Sequence, residues 1–229
     1  YSYMKKLVLI VLLLPSLLAH AQRFKVPKNL PNYDNQNIHF GFLIGINILD
    51  FKITPSIEQD EQLLVLKSQN QKGFNLGIVT NYHLSRRFDL RAIPTLSLAE
   101  RRIQYTFLED LSSTQVNKKV ESTFIEFPLL LKYKSDRYNN GRAYIITGLK
   151  YALDLASQKN IDDENQQIVK IKSHDISYEV GLGFDFYFSY FKFSPEIKAN
   201  FGIPNLLVVD DSIYSQSIKS MKTRGITIS

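Results

Sequence analysis

Apolar and polar residues alternate along most of the chain from Ile38 onwards. A side-chain period of two is the signature of a β-strand, because successive side chains point to opposite faces. Eight segments follow this pattern, and the last of them is short: 38–48, 74–84, 88–98, 127–133, 143–153, 176–188, 191–201 and 226–229. The pattern therefore predicts an all-β, antiparallel protein.

The length of these segments separates two kinds of antiparallel sheet. A soluble sandwich or lipocalin-like barrel would alternate in the same way, with its apolar face turned to a core. Most of the segments reach about 10 residues, the length that a tilted strand needs to cross a bilayer, whereas strands average about 5–6 residues in soluble proteins. The lengths favour a membrane barrel.

The connections between the segments alternate between short and long. Ser85-Arg86, the stretch from Ser135 to Gly141, and Ser189-Tyr190 are short, whereas four connections are long and polar: 51–71, 99–121, 155–173 and 202–222. Outer-membrane barrels have short periplasmic turns and longer external loops. We therefore expect an eight-stranded antiparallel transmembrane β-barrel of the OmpA/OmpX type in the cell outer membrane, with its N-terminus on the periplasmic side.

The N-terminal residues predict export. Met4 is followed by Lys5-Lys6, an apolar run from Leu7 to Leu14, and Ala19-His20-Ala21. These are the charged region, the apolar region and the cleavage site of a signal peptide. We assign residues 1–21 to this signal peptide, with 1–3 as extra upstream residues and cleavage near Ala21-Gln22. Residues 22–37 are rich in Pro and Asn and predict an extended periplasmic lead-in, and residues 38–229 form the barrel domain.

The amino-acid composition and net charge of the chain exclude several kinds of functional site. The chain has 13 Tyr and 15 Phe, which suit strands and membrane-interface girdles. It has no Cys, which excludes disulfides, thiolate metal sites and a Cys nucleophile. Its net charge is +6, or +4 once the signal peptide is removed, and its runs of Lys and Arg are at most two residues long. Such a spread of charge does not predict a nucleic-acid site.

The polar face of the strands carries as many acidic as basic residues. An eight-stranded barrel is just wide enough inside to be filled by side chains. Buried charges must pair, because an unpaired one is costly. We therefore predict a closed lumen held by a charge network of twelve residues: Arg87, Asp89, Arg91, Glu126, Lys132, Lys150, Asp154, Glu179, Asp185, Lys192, Glu196 and Lys198.

The sequence gives only weak support for catalytic or metal-binding residues. His39 and His83 share the inward face of neighbouring strands and could meet, but two lumen histidines without a metal are the more ordinary interpretation. His174 lies beside Asp175, and a Ser-His-Asp hydrolase is conceivable, although Ser and Asp are too common here to be informative. We predict no catalytic, cofactor-binding or metal-binding residues and no enzymatic activity.

Two apolar stretches lie within the predicted loops. One is Leu63-Leu64-Val65-Leu66, and the other consists of Leu206, Leu207, Val208 and Val209. Each could extend a strand above the membrane or form a docking surface for another protein. Strand extension is the favoured interpretation of the first stretch, and for the second the two interpretations are balanced.

Two motifs resemble a known family. The first comprises Arg23-Phe24-Lys25, Asn29-Leu30-Pro31, Tyr33-Asp34 and His39-Phe40-Gly41-Phe42. It resembles the start of the PorT family, whose members are outer-membrane barrels of Bacteroidetes. The second, from Phe124 to Tyr133, is similar to a pattern shared more broadly by the eight-stranded barrels of that phylum. The resemblance covers nearly the whole mature chain.

The resemblance implies a non-enzymatic accessory role in type IX protein secretion, and in gliding motility where that is present. It implies outer-membrane lipid and other secretion-system proteins as partners, with no cofactor, nucleic acid or small-molecule substrate. Barrels of this kind end in a strand with a terminal aromatic residue, whereas this chain ends at Ser229. We therefore expect a truncated eighth strand. The alternatives are a structural or adhesive barrel with no secretion role and, less favoured, a barrel enzyme that depends on His174.

Overall fold

Ten strand segments make up the fold. The computed structural model describes residues 27–56, 63–109, 112–155, 171–208 and 218–229. The segments are β1 Ile38–Pro55, β2 Leu63–His83, β3 Phe88–Ala92, β4 Thr95–Glu109, β5 Ser112–Lys134, β6 Gly141–Asp154, β7 His174–Tyr187, β8 Lys192–Phe193, β9 Glu196–Gly202 and β10 Ile218–Ile228. One turn of 3-10 helix, Tyr33–Asn35, precedes β1. The signal peptide predicted for residues 1–21 lies outside the described residues.

The segments form eight antiparallel strands in a closed ring, which confirms the predicted fold class. Each strand pairs with its neighbours in sequence, and β10 pairs with β1 to close the barrel. Two strands are interrupted, β3/β4 at Pro94 and β8/β9 at Pro195. Proline has no N–H to donate to a ladder, but the carbonyls of Pro94 and Pro195 still accept from Ile78 and Phe184, both at 3.0 Å.

Burial in this fold is inverted relative to a soluble protein. Apolar side chains such as Phe42 and Ile44 are exposed on the outer wall, whereas charged ones such as Lys132 and Asp185 are fully buried inside. In β7 the two faces alternate almost without exception. Lipid, rather than a protein core, is the environment that favours such an outer face.

The last strand differs from its prediction. β10 begins at Ile218, not Ile226, and ten of its residues pair with β1, while Arg224–Ile228 also pair with β9. The eighth strand is therefore longer than predicted, with eleven residues. Residues 219–224, KSMKTR, alternate poorly in hydropathy, so the pattern does not reveal this part of the strand. Among the described residues, the first half of β1, Ile38–Gly45, pairs with β2 alone.

Two of the long loops are also largely strand. β1 and β2 leave only residues 56–62 between them, and β4 and β5 leave only residues 110–111. Leu63–Leu66 therefore belong to a strand, as favoured from the sequence. Beyond the part of the wall that faces lipid, neither face of a hairpin needs apolar side chains. The alternation of apolar and polar residues therefore ends there, although the strands remain hydrogen-bonded to each other.

The two ends of the barrel are different. We call the end with connections 84–87, 135–140 and 188–191 the turn end, and the opposite end the loop end. Residues 27–37, the described part of the predicted lead-in 22–37, include the turn of 3-10 helix and contact the turn end through Asn29 and Asp34. None of the described helical residues forms a helix long and apolar enough to cross a membrane.

The charged lumen as candidate functional site

The most buried ion pair joins β5 to β7. Lys132 Nζ lies 2.7 and 2.9 Å from the two carboxylate oxygens of Asp185, and both side chains are 1% exposed. Asp185 also accepts a hydrogen bond from Ser194 Oγ at 2.7 Å, and Lys192 Nζ lies 3.9 Å away. Each partner needs the other, because either charge alone would be buried without compensation.

A second cluster crosses the lumen around Glu196. Its Oε2 accepts from Arg91 Nη1 at 2.8 Å and from the Tyr144 hydroxyl at 2.9 Å, and its Oε1 lies 3.2 Å from Lys198 Nζ. The Tyr144 ring also lies 3.5 Å below Lys132 Nζ, a cation–π contact. Tyr144 thus connects the two clusters.

Further pairs lie above and below these clusters. Toward the loop end, Lys150 Nζ lies 3.1 Å from Glu126 and 3.2 Å from Glu179. Toward the turn end, the Asp89 carboxylate is contacted by Lys134 and, at 2.9 Å, by His83 Nδ1. Asp154 is buried at the loop end of β6.

An apolar layer adjoins the charged pairs in the lumen. Five buried side chains form one cluster: Leu43, Ile93, Leu130, Tyr144 and Ile146. Ile93 and Leu130 are completely buried. The charge balance did not predict this layer, but Leu130 and Ile146 occupy inward positions in the alternation, and that was the signal available. Side chains packed in this way fill the part of the described interior that they occupy.

Residues 27–37, which we call the N-terminal latch, close the turn end. Asp34 accepts hydrogen bonds from Arg142 Nη2 at 2.8 Å and the Tyr187 hydroxyl at 2.9 Å. Asn29 N–H donates to Asn140 Oδ1, and Asn29 Nδ2 donates to the Tyr187 carbonyl, both at 2.9 Å. The latch is thus joined to the barrel by charge, amide and backbone contacts together.

Aromatic contacts reinforce the N-terminal latch. The Tyr33 ring stacks on His39 at a centroid distance of 4.0 Å and meets Tyr187 edge-on at 6.1 Å. His39 Nε2 is also hydrogen-bonded to the Tyr33 carbonyl. His39 and His83 therefore have separate partners.

One predicted member of the charge network does not lie in the lumen. Arg87 is half-exposed in the turn before β3 and contacts Asp136 at 3.4 Å. Arg87 precedes β3 by one residue, and the alternation that orients strand side chains does not apply in a turn. Conversely, Asp34, Lys134 and Arg142 were missed. Arg142 and Lys134 occupy inward positions at strand ends, whereas nothing in the local sequence indicates that Asp34 folds back.

The structure also revises the interpretation of two other candidate groups, the pair His174 and Asp175 and the apolar stretch from Leu206 to Val209. His174 is exposed and hydrogen-bonded to the Tyr151 hydroxyl at 2.6 Å, whereas Asp175 is buried on the opposite face of β7, so the two do not form a pair. Leu206 and Leu207 are buried, and Val208 is half-buried, so Leu206 and Leu207 are not the exposed docking surface that was considered. They fold inward because Leu206 N–H donates to the Met221 carbonyl and Leu207 bridges to Ile171. Val209 lies outside the described residues.

The N-terminal latch should detach at high pH. Burial, followed by the negative charges of Asp185 and Asp34, raises the pKa of Tyr33 from 10.0 to about 12. A tyrosine whose pKa is raised on docking stabilises the docked state below its free pKa, and this contribution is lost between pH 10 and 12. A spin label on Lys28→Cys, in a chain without native cysteine, should gain mobility over this interval. The Tyr33→Phe variant should lack that step, and an identical pH profile in both proteins would contradict the prediction.

Comparisons with known proteins agree with this architecture. A family model described as "Outer membrane protein beta-barrel domain" matches residues 21–208. The crystal structure of the outer membrane protein OprG from Pseudomonas aeruginosa is similar, with a TM-score of 0.50 and 12% identity, over 90% of this chain and 95% of that one. The N-terminal β-barrel domain of OprF from the same organism aligns with a TM-score of 0.33 and 14% identity, over 84% and 97%. No curated protein matches significantly.

Proposed function

The chain belongs to the outer membrane protein β-barrel domain family, and from that premise we propose that it is a non-enzymatic accessory of type IX protein secretion. In this proposal the barrel is an anchor in the outer membrane and the turn end faces the periplasm. Its partners are other proteins of the secretion machinery rather than a solute.

The observation that supports this proposal is the set of buried, mutually packed side chains inside the barrel. The Lys132–Asp185 pair, the Glu196 cluster and the apolar layer lie next to one another inside the barrel and are connected through Tyr144. A barrel filled in this way is suited to a role as a scaffold, because partners can use its ends and its wall but not its interior.

The N-terminal latch supports the specific family assignment. Asn29, Tyr33, Asp34 and His39 belong to the motif that resembles PorT proteins. The same residues make the contacts between the latch and the barrel. In this proposal the motif holds the N-terminal latch on the turn end, which is the end that faces partners in the periplasm.

A second candidate function rests on a different observation. Strands β4 and β5 remain paired from Ala99↔Ser122 to Glu109↔Ser112, beyond the last pair of β5 with β6 at Phe124↔Asp154. At about 3.3 Å per residue this hairpin extends roughly 30 Å further. A long external hairpin suits an adhesive barrel with no secretion role.

Deletion of the gene in the organism that encodes it tests the proposal. We expect secreted cargo to accumulate inside the cell, and expression of the full chain to restore export. The purified protein in planar bilayers should show no porin-like conductance. Normal export in the deletion strain would contradict the secretion role.

A hairpin variant distinguishes the two candidates. Replacing residues 100–121 with a short turn removes the extension of β4 and β5, together with the partner of β2 over Leu63–Asn70. The pairs of β4 with β5 from Thr95↔Glu126 to Ala99↔Ser122 are kept. A secretion accessory that works through the barrel and its turn end should still restore export. If export is normal throughout and only surface binding is lost, the adhesive function is correct instead.

A further inference from the structure

A polar cleft of about 470 Å³ opens at the turn end between the N-terminal latch and two of the short turns. Its charged lining is mainly cationic. Five side chains carry positive charge and two carry negative charge: Lys28, Arg86, Lys134, Arg137 and Arg142, with Asp34 and Asp136. The lining therefore has a formal excess of three positive charges, one of which, Lys134, is paired with the buried Asp89 behind the lining.

The two carboxylates cannot neutralise this excess, because arginines share them. Asp136 accepts from Arg86 at 2.7 Å and also lies 3.4 Å from Arg87, and the hydrogen bond and charge of Arg86 lower the pKa of this carboxyl. Asp34 lies 2.8 Å from Arg142 and 3.9 Å from Arg137. A cleft in which cations outnumber anions attracts an anionic ligand.

One buried arginine has an unused donor. The Arg142 side chain is 7% exposed, and its Nε–H finds no acceptor among the residues that the structure describes. Lys28, at the mouth of the cleft, is exposed and has no ion pair within the same residues. A buried donor without an acceptor is costly. The negative charge of an oxyanion in the cleft, which Arg142 lines, would stabilise this guanidinium.

The cleft lies next to the lipid-facing wall. Leu84, Phe88 and Tyr133 are exposed apolar residues at the same strand ends as Arg86 and Lys134. Aromatic residues at the end of a barrel wall mark the membrane interface. The mouth of the cleft therefore lies at the level where lipid headgroups are found.

We propose that this cleft binds a phosphate group, either in a lipid headgroup or as free phosphate. Guanidinium groups present planar pairs of donors that match phosphate oxygens. A phosphate also compensates more of the excess positive charge than a carboxylate does. The proposal does not depend on the secretion role, because it rests on the turn end of the barrel alone.

Titration of the full chain in a phosphate-free maltoside detergent tests the site. Inorganic phosphate, added at constant ionic strength and followed by calorimetry, should bind saturably, and acetate should bind more weakly. Arg86→Gln should weaken phosphate binding about tenfold or more, since it removes hydrogen bonds to a charged ligand. Lys219→Gln removes one exposed positive charge at the loop end and should not change the affinity.

Nanodiscs distinguish the two sources of phosphate. If a lipid headgroup is the ligand, nanodisc-embedded protein should no longer bind added phosphate, and native mass spectrometry should show a retained phospholipid that Arg86→Gln loses. If free phosphate is the ligand, its affinity should be the same in detergent and in nanodiscs. The proposal is overturned if nothing binds saturably, if acetate binds as well as phosphate, or if Arg86→Gln and Lys219→Gln behave alike.

Discussion

Asp185→Asn should lower the free energy of unfolding by about 3–5 kcal/mol, because it removes one partner of a fully buried ion pair. Lys132 Nζ would lose both of its carboxylate contacts, and Lys192 would lose its nearest anion. The amide can still accept from Ser194 but carries no charge. The measurement is denaturant unfolding in detergent micelles, followed by circular dichroism and by the folded band on a gel.

Asp136→Asn is the matched control. Asp136 also contacts two cations, Arg86 and Arg87, but it is exposed at the turn end. Its substitution should leave the unfolding midpoint unchanged, since exposed ion pairs contribute little. Adding Lys132→Met to Asp185→Asn should recover part of the lost stability, because it removes the uncompensated charge. Equal midpoints for Asp185→Asn and Asp136→Asn would show that burial does not determine the strength of the network.

Gly148→Ala should be comparably severe although it adds a single methyl group. A Cβ at this position would lie 2.1 Å from the Leu129 carbonyl oxygen and 2.9 Å from Leu130 Cα, both on the neighbouring strand. Backbone atoms cannot move aside as a flexible side chain can, so β5 and β6 would have to separate locally. We expect a loss of about 3 kcal/mol, measured by the same unfolding experiment.

Gly41→Ala provides the comparison within the same barrel. The nearest atom to a Cβ at Gly41 is Val79 Cβ at 3.8 Å, an ordinary contact. This variant should therefore unfold at the wild-type midpoint or slightly above it, because alanine has a smaller entropy loss on folding. If both glycine variants fold equally well, the close approach of β5 and β6 at Gly148 is not a constraint on the barrel.

Much of the architecture could be predicted from the sequence. Lipid outside and a polar lumen inside impose a period of two on every membrane-crossing strand. That constraint is local, so segments such as 176–188 were recognisable one at a time. The inward orientation of Lys132, Asp185 and Glu196 followed from the same alternation. Outside the membrane-crossing segments the alternation no longer predicts the orientation of a side chain or the bounds of a strand. Arg87 in its turn and the start of β10 are two examples.

Only the tertiary structure decided which of these residues meet. Lys132 and Asp185 are separated by 53 positions in the chain, and Asp34 and Arg142 by 108. Their pairing depends on the register of several strands and on the return of the N-terminal latch, neither of which a local pattern contains. For the same reason the sequence could not distinguish Gly41 from Gly148. Within the membrane-crossing strands, the sequence by itself determined which side of the wall a residue faces, because that depends on parity along one strand. Tertiary structure decided the contacts across the lumen, because those depend on how separate strands are aligned.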